Sequence, residues 1–186
     1  MEALLPAFIT VLLTECDGKV QRNTDALALH FHRVRPILLA LIASTLISLV
    51  LAGIGGAIVA PLITYQARTL LLGLAFLVAG GSMVLDGKPV TSPNGNRAFP
   101  VSLWRYGVAQ FGDNSQFIVF AFAARSDQPL LAGGGGLAAI LVAAAPALIL
   151  PGAWRAAMPV TLVRRMAAGI LILAGLGTAL SALQLI

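Results

Sequence analysis

The sequence predicts an all-α, polytopic membrane protein with six transmembrane helices in two inverted three-helix repeats. Three observations predict it. Hydrophobic residues make up 59% of the 186 and charged residues only 10%, against roughly 25% charged in ordinary soluble domains. Such a chain suits lipid as its solvent, where outward-facing side chains are apolar too. The apolar residues fall into runs of about 20, enough to cross about 30 Å of hydrocarbon. Finally, similar elements recur about 95 residues apart along the chain.

The first span is the least regular. Leu4 to Leu13 is apolar, TECDGKVQRN interrupts, and ALALHF resumes. A helix from Ala3 to about Leu29 crosses only if it carries Glu15, Asp17 and Lys19 near mid-membrane. Each charge there costs about 2.5 to 3.5 kcal/mol, roughly 8 to 10 kcal/mol for the three. Groups kept at that cost face a bundle interior and mark a substrate or ion path; the competing reading lays this segment on the membrane surface. The opening stretch carries Glu2 instead of a positive region and has no small-residue cleavage site, so it reads as a retained helix and not a signal peptide.

The other spans are plain: Ile37 to about Ile63, Ala67 to Leu85, Val101 to about Ala124 with a polar centre, Leu130 to about Trp154, and Leu162 to Ile186. The chain divides into a first repeat at 1–85, a loop at 86–100 rich in turn formers, and a second repeat at 101–186. Arg33, Arg35, Lys88, Arg97, Arg155, Arg164 and Arg165 fall in loops one, three and five, and only Arg68 and Arg125 in loops two and four. The positive-inside rule makes the first set cytoplasmic and both termini periplasmic, in a bacterial inner membrane. His30 and His32 sit at the same boundary.

The net charge is +5, but the basic residues are scattered between apolar runs. That is not the stripe of a nucleic-acid binder, and no nucleic-acid partner is expected. The single cysteine, Cys16, excludes an internal disulfide and reads as packing. No resident cofactor is expected; the lipid bilayer is the expected surrounding, and a homo-oligomer stays open.

The third and sixth spans align at an offset of 96, pairing Arg68 with Arg164, Gly73 with Gly169, Leu77 with Leu173, Gly81 with Gly177 and Ser82 with Thr178. The polar centres of spans one and four align at 95, pairing Gln21 with Gln116. Three helices per half is an odd number, so the halves lie inverted, a recurrent transporter plan with its site at the repeat interface. The run Gly133 to Gly136 reads as close helix packing or a hinge, since no strand precedes it as a phosphate loop requires.

Two polar motifs occupy the span centres: Glu15-Cys16-Asp17-Gly18-Lys19-Val20-Gln21 and Gln110-Phe111-Gly112-Asp113-Asn114-Ser115-Gln116. Carboxylates, amides, a hydroxyl and unwound carbonyls are the oxygen ligands that a hard cation such as Ca²⁺ or Mn²⁺ needs. Gln110, Asp113 and Gln116 follow each other at three-residue spacing on one helical face. Glu15 and Lys19 share a face and could instead form a structural ion pair. Gln21, Asn114 and Gln116 could equally stitch helices together. Gly18 and Gly112 are placed to loosen the helices and re-aim these groups.

These motifs resemble the paired Glu-x-Gly-Asp-Lys/Arg-Ser/Thr signatures of the transmembrane protein 165 family of manganese/calcium:proton exchangers, within the lysine-exporter superfamily. The resemblance covers the whole chain. Glu15, Lys19, Gly112, Asp113 and Ser115 match the pattern; Asp17, Gly18, Val20, Gln110 and Asn114 depart from it. The resemblance implies export of a divalent cation, Mn²⁺ or Ca²⁺, in exchange for protons, by a transporter and not an enzyme. Glu15 and Asp113 would bind metal and exchange protons, Gln110, Ser115 and Gln116 would complete the shell, and Asp17 would join if the helix unwinds at Gly18. Fewer carboxylates could also suit a zwitterion such as a small amino acid, and a non-transporting scaffold is the remaining alternative.

Overall fold

The longest apolar runs of the sequence become the longest helices. In the computed structural model the described residues are 3–85, 90–126, 128–157 and 159–185. Lys88 and Ile186, used above for orientation and for the last span, lie outside them, as does the 86–89 part of the loop. In chain order the helices are α1 (Leu4–Thr14), α2 (Lys19–Phe31), α3 (Val34–Val59), α4 (Tyr65–Val84), α5 (Ala98–Gln110), α6 (Asn114–Arg125), α7 (Pro129–Ile149), α8 (Trp154–Ala157) and α9 (Val160–Ala182). A 3-10 turn, Ala60–Leu62, extends α3. The described residues contain no strand.

Four helices are long and apolar enough to cross a membrane: Val34–Leu62, Tyr65–Val84, Pro129–Ile149 and Val160–Ala182. At 1.5 Å per residue, twenty residues cover 30 Å. The side chains are sorted as lipid demands. On α3, Ile47, Leu51, Ile54 and Ile58 form an exposed apolar stripe at helical spacing, while Thr45 and Ser48 are buried on the opposite side. A soluble helix would show the reverse.

The expected first and fourth spans are each corrected from one helix to two. The first breaks between Thr14 and Lys19, the fourth between Gln110 and Asn114. The cause is local: Asp17 (φ 57°) and Gly112 (φ 69°) lie in the left-handed region, which a right-handed helix cannot pass through. Gly112 takes this conformation without a Cβ penalty; Asp17 is among the few residue types that tolerate it. The fifth span also ends earlier than expected, at Ile149, where Pro151 and Gly152 (φ 76°) turn the chain into α8.

Small residues set the closest helix contacts, as in other membrane bundles. α4 packs along α9, α1 against α7, and α3 against α5, α6 and α7. A Cβ on Gly73 would lie 2.9 Å from the Ala179 nitrogen, and one on Gly80 2.9 Å from the Ala168 oxygen. Gly135 packs against the backbone of Leu4, and Gly136 against Val119, so half of the four-glycine run is helix packing. Gly133 and Gly134 face open space, and so do Gly81, Gly169 and Gly177 of the aligned pairs.

Candidate metal-binding site

Both polar motifs fold as the same local device. In the first, Gly18 N–H donates to the Glu15 carbonyl (2.9 Å), Asp17 N–H to Gln21 Oε1 (3.0 Å), and Arg22 N–H to the Gly18 carbonyl (3.2 Å). In the second, Asp113 N–H donates to the Gln110 carbonyl (3.1 Å), Gly112 N–H to Gln116 Oε1 (2.7 Å), and Phe117 N–H to the Asp113 carbonyl (3.1 Å). Every donor and acceptor of the first set recurs 95 residues later in the second. A glutamine four residues downstream thus satisfies an amide that the break would orphan, at both sites. This stitching occupies the oxygen of Gln116, whose Nε2 donates to the Ser48 carbonyl (3.3 Å).

The breaks put acidic and polar side chains at helix ends inside the bundle. Glu15 is 1% exposed, Gln110 4% and Asp113 7%. Ser115 at the start of α6 donates its hydroxyl to Glu15 Oε1 (2.5 Å), which ties the first break to the second. Asp113 Oδ1 receives Lys19 Nζ (2.7 Å) across the same gap. Lys19 therefore pairs with Asp113 and not with Glu15, its neighbour in sequence. Gln110 Nε2 donates to Thr45 Oγ1 on α3 (3.1 Å). Glu15 Oε2 and Gln110 Oε1 are buried and have no hydrogen-bond donor among the described residues.

Asp17 points elsewhere. Its carboxylate receives Arg22 Nη2 (3.1 Å), Arg155 of α8, and Arg164 Nη1 of α9 (3.6 Å). The unwinding at Gly18 takes place, yet it hands Asp17 to these arginines. Among the described residues no three His, Cys, Asp or Glu side chains gather. What the fold does gather is Glu15, Ser115, Asp113 and Lys19, with Gln110 on the same break as Asp113. A cavity of about 490 Å³ reaches Lys19 and Asp113 of this group from the end where α4 stops, lined also by Asn114, Ser82, Thr91 and Arg164 among others.

Sequence reasoning misses Thr45 and Ser48, although polar residues at helical spacing within an apolar run were a readable signal. It also misses Arg155 and Arg164 as partners of Asp17, for which the sequence holds no local signal. Asn114 donates to Ser82 Oγ (2.6 Å) and so joins α6 to α4.

Membrane-crossing helices around buried carboxylates, with oxygen acceptors at two helix breaks, define a membrane transporter. The family model described as "Divalent cation/proton antiporter GDT1" matches residues 3–90 and 98–185. The chain belongs to this divalent cation/proton antiporter family. It is a cation exporter/exchanger, which decides against the amino-acid and scaffold alternatives. A relative from Vibrio cholerae serotype O1, named "Putative manganese exporter", is 28% identical over 184 residues, covering 96% of this chain and 91% of the relative. No solved structure matches.

Proposed function

We propose that the chain exports Mn²⁺, and Ca²⁺ less readily, in exchange for protons, from a site built of Glu15, Asp113, Gln110 and Ser115. The carrying observation is the pair of buried acceptors without donors, Glu15 Oε2 and Gln110 Oε1. Leaving such an atom unsatisfied costs about 1 to 3 kcal/mol. In this reading a hard cation between them would satisfy both, since carboxylate, amide and hydroxyl oxygens are its preferred ligands. Mn²⁺ stands ahead of Ca²⁺ because of the relative's name. Gln116 and Asp17 serve the site indirectly, one by fixing the second break, the other by anchoring the first to α8 and α9.

The architecture in this reading has six crossings, four unbroken and two broken at mid-membrane, in inverted repeats at 1–85 and 101–186 joined by the 86–100 loop. Two features support the repeat. The hydrogen bonds of the two breaks correspond at 95, and so do the starts and ends of the two stretches matched by the family model. In this reading the membrane is the bacterial inner membrane, and the distribution of Lys and Arg makes both termini periplasmic. The cavity then opens to the cytoplasm, so this is the cytoplasm-facing state of an alternating-access carrier.

The test is metal sensitivity in a bacterial host lacking its own manganese exporter. Expression should restore growth in excess Mn²⁺, and the Asp113→Asn chain should not. A chain that reaches the membrane and gives no protection contradicts the proposal.

A further inference from the structure

We infer that Lys19 is a tethered cation that holds the metal's place on Asp113, so that an arriving metal must displace it. The inference rests on the metal site proposed above and names the residue that sets its affinity.

The ion pair is asymmetric. Lys19 Nζ lies 2.7 Å from Asp113 Oδ1, but the Lys19 side chain is 65% exposed while that of Asp113 is 9% exposed. The lysine stem stands in the cavity, so its ammonium can withdraw into water at little cost. Asp113 has no such freedom. Stripped of a cation it would be a bare charge in a poorly solvated place, which is strongly unfavourable. Asp113 thus holds the ammonium, a metal or, in exchange for the metal, a proton.

Among the described residues, the other basic side chains lining the cavity are engaged elsewhere. Arg22 and Arg164 sit on Asp17. Arg105 donates to Asn23 Oδ1 (3.2 Å) and to the Thr91 carbonyl. Among the described residues, Lys19 is the basic group lining this cavity that is seated on Asp113. The second motif holds no equivalent: Asn114 stands at the corresponding position and bonds Ser82. One site with one tethered cation has two consequences. The ammonium competes with incoming metal and weakens its binding. It also covers Asp113 after the metal leaves, and so lets the metal-free carrier turn back.

Proteoliposomes separate these effects. Mn²⁺-for-Mn²⁺ exchange never requires the metal-free carrier to turn, whereas net export does. Lys19→Gln should lower the Mn²⁺ concentration for half-saturation of exchange about fivefold, the size of a partly exposed ion pair. Net export should fall by about the same factor or more relative to exchange. Lys19→Arg, which keeps the charge, should restore net export. Lys19→Met preserves the apolar stem and serves as a second neutral variant if Lys19→Gln inserts poorly. If both neutral variants keep the parent's half-saturation and its ratio of net export to exchange, the inference is overturned while the metal site stands. If Asp113→Asn leaves exchange unaltered, the metal site falls and the inference with it.

Discussion

At the residue scale, the cost of an intramembrane acid is the most informative quantity. Glu15 and Asp113 are both buried, and each is held by a partner from the other motif: Ser115 on Glu15 and Lys19 on Asp113. Removing either charge should remove the ion. Glu15→Gln and Asp113→Asn are expected to abolish Mn²⁺-dependent protection while the protein remains in the membrane, as checked by membrane-fraction immunoblots. Gln110 has the opposite expectation. It stands where Glu15 stands in the first motif, and an amide oxygen there supplies a ligand without a charge. Ligand charge count is one of the levers that tune cation affinity. Gln110→Glu should therefore strengthen Mn²⁺ binding by about tenfold or more in detergent titrations; an unchanged affinity would show that charge count is not what limits this site. The sequence made Glu15 and Asp113 legible because their expense is visible in one dimension. It hid who pairs with whom. Lys19 lies four residues from Glu15 and reads as its partner, yet the break between them re-aims both side chains.

At the scale of elements, the two breaks are the features that position the site. Each depends on a glutamine closing the gap, Gln21 on Asp17 N–H and Gln116 on Gly112 N–H. A neutral hydrogen bond of this kind contributes about 0.5 to 1.5 kcal/mol. Gln21→Ala and Gln116→Ala should each lower thermal stability by about that much, and the double variant should slow transport beyond either single change. Asp17→Asn should act differently. It leaves Arg22, Arg155 and Arg164 without their carboxylate and frees the first break from α8 and α9, so proteolytic or hydrogen-exchange protection should fall around α8. Protection unchanged in Asp17→Asn would remove the anchoring role. The four long helices were legible to within a few residues, since an apolar run of that length has few other fates. The breaks were legible only as a loosening expected at Gly18 and Gly112; that the helices end there outright follows from the left-handed backbone at Asp17 and Gly112. The glycine pattern was half legible. Gly73 lines the α4–α9 contact together with Gly80 and Gly175, while its aligned partner Gly169 faces open space, because helix facing depends on rotation that pairwise matching ignores.

At the scale of the molecule, lipid-facing apolar stripes surround an interior that holds the charge. The cavity beside Lys19 and Asp113 opens at the end where α4 stops, the side that carries most of the loop Lys and Arg. A reporter fused after the C-terminal helix should be active only in the periplasm; activity confined to the cytoplasm would overturn the orientation and the six-crossing count together. One hydrogen-bond pattern recurs 95 residues apart, at the α1–α2 break and at the α5–α6 break, and the two breaks meet through Ser115–Glu15 and Lys19–Asp113. The central claim is that these two breaks bind a divalent cation and exchange it for protons. The most direct measurement is Mn²⁺ flux in proteoliposomes under an imposed proton gradient, with parent and Asp113→Asn chains side by side. The account predicts that the parent accumulates Mn²⁺ against its gradient only while the proton gradient lasts, and that Asp113→Asn does not. Equal flux in the two chains, or parent flux indifferent to the proton gradient, would contradict it.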